Sequence, residues 1–143
     1  MFLTGCNFVL QFCKKTLDIL TMENLINWFE IPVTDFSRAV SFYKAILDLE
    51  IKETEMFGTK MGFFPTDGTN VSGAIVQGED YKPSTDGVIA YLNGGNDLQK
   101  VLDKVESNNG TVIVPKTQIS PEMGYFGMFI DTEGNKMAVH SIN

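Results

Sequence analysis

Phe29-Glu30-Ile31-Pro32-Val33-Thr34-Asp35-Phe36-Ser37-Arg38-Ala39-Val40-Ser41-Phe42-Tyr43 holds a strand, a turn and a helix start in one run. From Ile26 to Val33 the residues alternate. Asn27, Phe29, Ile31 and Val33 share one face, and Trp28, Glu30 and Pro32 share the other, as in a half-buried strand. Thr34-Asp35 then opens a helix, with the Asp35 carboxylate placed to cap free backbone N–H groups. Phe36, Ala39, Val40, Tyr43, Ile46 and Leu47 recur at i, i+3, i+4, i+7, i+10 and i+11, a single buried stripe.

Three strands are predicted after this helix: about Leu49–Met56, Thr59–Pro65 and Ser72–Gly78. Gly58 separates the first two, and Thr66-Asp67-Gly68-Thr69-Asn70 supplies turn chemistry before the third. The linker Glu79 to Asp86 contains Pro83. The order then repeats: an apolar strand Gly87–Leu92, a turn Asn93-Gly94-Gly95-Asn96, and a second cap at Asp97. A helical stripe follows at Leu98, Val101, Leu102 and Val105, and Asn108-Asn109-Gly110 stops it. Three strands close the chain, Thr111–Val114, Tyr125–Asp131 and Lys136–Ser141, with a turn at Thr132-Glu133-Gly134-Asn135. The pattern βαβββ is written twice, so the expected fold is α+β with two such modules at about 24–82 and 83–143. Residues 22–143 are expected to form one domain.

Composition limits the function. The chain has 143 residues, 43% of them hydrophobic, and a formal net charge of −7, which suits one ordinary globular domain. No apolar run reaches the roughly 18–20 residues that a membrane helix needs. An acidic chain without a Lys/Arg cluster lacks the phosphate neutralisation that drives nucleic-acid binding. No membrane or nucleic-acid partner is therefore expected. Two cysteines cannot build a disulfide scaffold, and a single histidine excludes any site needing two from this chain.

Residues 1–21 differ from the rest. Lys14 and Lys15 follow the apolar stretch, the reverse of a secretory signal, so a cytoplasmic location is expected. Leu3-Thr4-Gly5-Cys6 has the form of a lipoprotein box but has only two residues before it. The segment reads either as a mis-set start or as an apolar extension that docks on the domain or on a partner.

The stretch from Phe29 to Asp35, the run Arg38-Ala39-Val40-Ser41-Phe42-Tyr43, and the closing Gly124 to Asn135 together resemble the vicinal oxygen chelate superfamily. That group includes glyoxalase I, bleomycin-resistance proteins, extradiol dioxygenases and methylmalonyl-CoA epimerases. Many members have an Asp-Pro-Asp/Glu-Gly turn where this chain has Asp131-Thr132-Glu133-Gly134. Val114-Pro115-Lys116-Thr117 adds to the likeness, which spans about residues 24–142. The resemblance implies two incomplete barrels paired about a cleft, and a homodimer.

In metal-dependent members the resemblance implies four cleft-facing ligands. The first, seven residues before the capping Asp, falls here on Trp28. The second falls near Ala74 or Ile75, the third within Val88 to Ala90, and the fourth, four residues after the turn glycine, on Ala138. None offers a lone pair to a cation, so neither a metal nor any other cofactor is expected.

Four residues remain as candidates for the cleft: Trp28, Glu30, Lys136 and His140. Trp28 can be a stacking wall for a planar or apolar ligand or a core filler. Glu30 can be a general base that removes a proton beside a carbonyl, or a Glu paired with Lys or set at a solvated mouth. His140 can serve as acid, base or lone ligand, or lie unused at the surface. Glu30 and His140 together make a conceivable displaced metal site, and they are the two catalytic candidates. Lys136 can meet an anionic group. Met56, Met61, Met123, Met128 and Met137, with Phe57, Phe63, Phe64, Phe126 and Phe129, suit a soft apolar lining or a core.

The expected function is binding of a small organic molecule in an apolar cleft. The alternative is a lyase or isomerase related to lactoylglutathione lyase, metal-independent or with a displaced metal, using Glu30 as its base. A third reading is a partner-binding role carried by residues 1–21.

Overall fold

A computed structural model describes residues 24–143. The expectations for residues 1–21 lie outside the described residues. The first module runs β1 (Trp28–Pro32), α1 (Phe36–Leu47), β2 (Lys52–Met56), β3 (Thr59–Phe63) and β4 (Ser72–Gln77). The second runs β5 (Tyr91–Asn93), α2 (Gln99–Val105), β6 (Thr111–Ser120), β7 (Gly124–Ile130) and β8 (Lys136–Ser141). Each module forms one four-stranded mixed sheet, ordered β1-β4-β3-β2 and β5-β8-β7-β6. The first strand of each pairs in parallel with the fourth, and neither sheet closes into a barrel. The fold is the expected α+β pair of βαβββ units. Among the described residues no helix is long and apolar enough to cross a membrane.

Both modules share one core. Ile31, Val33 and Ile75 from the first sheet, and Val139, Met137 and Phe129 from the second, pack with Phe42, Tyr43, Leu98 and Leu102 of the helical layer. Each sheet thus has a helix-side face and an opposite cleft face. Both helices begin on a side chain from the end of their module's fourth strand. Gln77 Oε1 accepts from the Phe36 N–H at 3.0 Å, and Ser141 Oγ accepts from the Leu98 N–H at 2.9 Å. Free N–H groups at a helix start need acceptors, and the duplicated architecture supplies them from equivalent places.

Three expectations are corrected. The apolar run Gly87–Leu92 yields only the short β5, and Val88 is 98% exposed. The Lys136 N–H, which a longer β5 would bond to Val88, is taken by the Ser84 carbonyl at 3.4 Å. β6 runs on past Val114 to Ser120, with register shifts on either side of Pro115. A proline is tolerated there because β6 is an edge strand. Asp97 is not the N-cap of α2, which is Leu98. The Asp97 carboxylate instead accepts from the Gln99 N–H at 3.0 Å and pairs with Lys116 at 2.7 Å.

The β7–β8 turn binds the modules together. Glu133 Oε1 accepts from the Thr34 and Asp35 N–H groups at 3.1 and 2.7 Å, and Oε2 pairs with Arg38 Nε at 2.7 Å. Burial pushes this carboxyl upward, but the Arg38, Asp35 and Thr132 hydrogen bonds outweigh it and hold it at about 2. Beside it, the buried Tyr43 hydroxyl donates to Asp131 at 2.7 Å. Asn135 donates to the Pro32 carbonyl at 2.8 Å.

Candidate functional site

Strand register fixes what faces the cleft. In the first sheet Glu30 is level with Ala74, Ala74 with Phe63, and Phe63 with Lys52. Residues level across a sheet point to the same side, so Trp28, Glu30, Ala74, Phe63, Met61, Lys52, Thr54 and Met56 share the cleft face. Ile31 and Ile75 point to the core. In the second sheet Tyr91 is level with Ala138 and Met128, and Asn93 with His140 and Phe126. Of the soft apolar residues, Met137, Phe64 and Phe129 are core. Met61, Phe63, Phe126 and Met128 are half-buried, and Met56, Phe57 and Met123 are exposed.

The register gives the side of the sheet on which the positions expected from the resemblance lie. Trp28 and Ala74 lie on the cleft face of the first sheet, and Ala138 on that of the second. The third position falls before β5, among Val88, Ile89 and Ala90, none of which carries a donor side chain. Trp28, Ala74 and Ala138 present only indole and methyl groups, so these residues do not fit a metal ion. Among the described residues no group of three or more His, Cys, Asp or Glu side chains could hold one elsewhere.

The four candidate residues do not converge on one cavity. Trp28 is 41% exposed and packs against Phe63, with ring centroids 5.8 Å apart. Phe63 lines a 690 Å³ trough with Ile51, Met56 and Phe64, which Glu50, Lys52 and Thr54 also line. Glu30 and Lys136 come together at the seam between modules, lining a 140 Å³ cavity with Lys82, Asp86 and Asn135. His140 lines a third cavity of 670 Å³, with Tyr91, Asn93, Ile119, Met123 and Ile142. Glu30 and His140 therefore line different cavities.

Each polar candidate except Lys136 is already engaged. Both Glu30 oxygens accept hydrogen bonds: Oε2 from the Tyr81 hydroxyl at 2.7 Å, and Oε1 from Trp28 Nε1 at 3.4 Å. The Tyr81 phenol is raised, first by that hydrogen bond and then by burial and the carboxylate charge. His140 Nε2 lies 2.6 Å from the Met123 carbonyl and donates to it, because a carbonyl can only accept. Its free lone pair, in the neutral ring, is then on Nδ1. Tyr81 is the residue that sequence reasoning missed. An aromatic side chain inside the polar linker, just before Pro83, was the available signal.

Comparison with known proteins accords with this geometry. The chain is 28% identical over 125 residues to a glyoxylase-like domain-containing protein of Didymella fabae, an alignment covering 84% of this chain and 95% of that one. It shares its fold with glyoxalase I from Zea mays at a TM-score of 0.62 and 14% identity, covering 81% of this chain and only 44% of the maize enzyme. TnmS3, an antibiotic binding protein from Streptomyces sp. CB03234, matches at a TM-score of 0.61 and 20% identity, over 82% of this chain and 95% of that one. The family model described as Glyoxalase/Bleomycin resistance protein/Dioxygenase superfamily matches residues 25–139. With its paired βαβββ sheets and apolar cleft faces, the chain belongs to that superfamily.

Proposed function

We propose that this protein binds a small, largely apolar organic molecule on the cleft face of its first sheet, with no metal at the usual positions. The observation that carries this reading is the presence of carbon side chains at the ligand positions beside an open, largely apolar trough. Trp28 and Ala74 stand where donors would, and the 690 Å³ trough lined by Met56 and Phe63 opens on the same face. A volume of that order suits a drug-sized ligand, and methionine lets the lining adapt to its shape. The Streptomyces protein of the same fold is an antibiotic binding protein, which supports the reading as precedent.

The enzymatic alternative assigns proton abstraction to Glu30. Nothing in the geometry favours that role over binding: the Glu30 carboxylate accepts from Trp28 and Tyr81, two neutral donors that orient it for either. Binding is the reading we adopt.

Trp28 is the only tryptophan in the chain, so its emission reports on this face alone. Titration of the full chain with N-phenyl-1-naphthylamine, a neutral apolar fluorophore, tests the reading. Saturable energy transfer from Trp28, weakened several-fold in Phe63→Ala, is expected. A probe that stays dark, or transfer that Phe63→Ala leaves unchanged, would overturn it.

A further inference from the structure

Resting on the reading that the cleft face of the first sheet receives the ligand, the geometry points to the class of ligand. We propose that this face selects molecules carrying an organic ammonium group, which sits against the Glu30 carboxylate between the rings of Trp28 and Tyr81.

Among the described residues Glu30 has no ion-pair partner within 4.0 Å; the pairs at that distance are Arg38–Asp35, Arg38–Glu133, Lys44–Glu50 and Lys116–Asp97. Lys82 and Lys136 line the small cavity beside Glu30, yet neither ammonium comes that close. The two groups that do touch the carboxylate, the Tyr81 hydroxyl and the Trp28 indole N–H, are neutral donors on aromatic rings. They fix the carboxylate in place without cancelling its charge. A carboxylate accepts about four hydrogen bonds, so two remain for an incoming N–H donor.

The rings supply the second half of the site. Trp28 is 41% exposed, with Phe63 behind it at 5.8 Å. Tyr81 is held over Gly78, where a Cβ would come within 3.1 Å of its ring. That glycine leaves room for the phenol to reach Glu30. A cation beside a fixed carboxylate gains a charge-assisted hydrogen bond. The chain's net charge of −7 draws cations toward the site and repels anions.

Three probes with the same phenyl ring separate the possibilities: phenethylammonium, 2-phenylethanol and phenylacetate, each titrated against Trp28 emission of the full chain. Phenethylammonium is expected to bind at least 10-fold more tightly than the other two. Glu30→Gln, which keeps the shape and one acceptor, should bring its affinity down to that of the alcohol. Circular dichroism and the melting midpoint check that this variant folds. If phenethylammonium and 2-phenylethanol bind alike, the ligand face stands and the ammonium preference falls. If phenylacetate binds best, Lys82 and Lys136 govern the site and the proposal is overturned. If none of the three perturbs Trp28, the ammonium site and the ligand face fall together.

Discussion

The Glu133 carboxylate ties the β7–β8 turn to the start of α1 through Thr34, Asp35 and Arg38. Replacing it with Gln removes the charge that pairs with Arg38 and weakens the two backbone contacts. A charge-assisted hydrogen bond at a covered site contributes about 2 kcal/mol. Glu133→Gln should therefore lower the melting midpoint at neutral pH by roughly 8 °C. The sign of the pH dependence follows from the carboxyl's position at about 2, below its ordinary 4.5. The contribution is present in full above 4.5 and is lost as pH falls through 2. The gap between Glu133→Gln and the natural chain should close over that range in scanning calorimetry. A constant gap would assign the loss to packing instead. Tyr43→Phe should cost a similar amount, about 2 kcal/mol, because it strips a donor from the buried Asp131. Urea melts would show this as a lower midpoint at unchanged slope. The role of Glu133 was not legible in the sequence, where it is one residue of a matching turn; its partners lie in the other module.

Gly73 illustrates what a single strand position can demand. A Cβ there would strike the Phe29 carbonyl and approach both edges of the Phe29 ring to 2.8 Å, so β1 and β4 lie together only because the position is bare. Overpacking of this kind costs about 1–3 kcal/mol. Gly73→Ala should fall in that range and also shift Trp28 emission, since Trp28 opens the displaced strand. Lost stability with unchanged emission would mean that the strain spreads into α1 rather than β1. Elements with strong periodicity were legible before the structure: α1 follows its apolar stripe, and β7 and β8 fall almost where alternation sets them. The limits of β5 and β6 were not. Whether a strand continues past Val114 or stops before Tyr91 depends on its neighbour's free N–H groups, which belong to sequence far away. The candidate site was legible in part for the same reason. Alternation set Trp28 and Glu30 on the cleft face. Only the packing of two modules could show that Glu30 meets Tyr81 and that His140 lines another cavity.

At the scale of the whole molecule, apolar side chains stand in water outside the ligand trough. Phe57, at the β2–β3 tip, is 98% exposed, and Ile119 and Met123 stand out at 42% and 59% beside the His140 cavity. We propose that a second copy of this chain covers them. Sedimentation equilibrium should then give twice the 15.9 kDa chain mass, and Phe57→Asp should shift the protein toward monomer. A natural chain that sediments as a monomer at micromolar concentration would refute this.

The central claim is that the cleft serves an organic molecule rather than a metal ion. It is tested most directly by thermal melts of the metal-stripped full chain, with Cys6 and Cys13 alkylated, against Ni²⁺, Zn²⁺, Mn²⁺ and Co²⁺. An ion bound tightly by the folded state, at about 100-fold excess over its Kd, adds roughly 2.7 kcal/mol and raises the midpoint by several degrees. The account predicts no such rise with any of the four. A rise of several degrees with one ion, abolished by Glu30→Gln or His140→Ala, would contradict it.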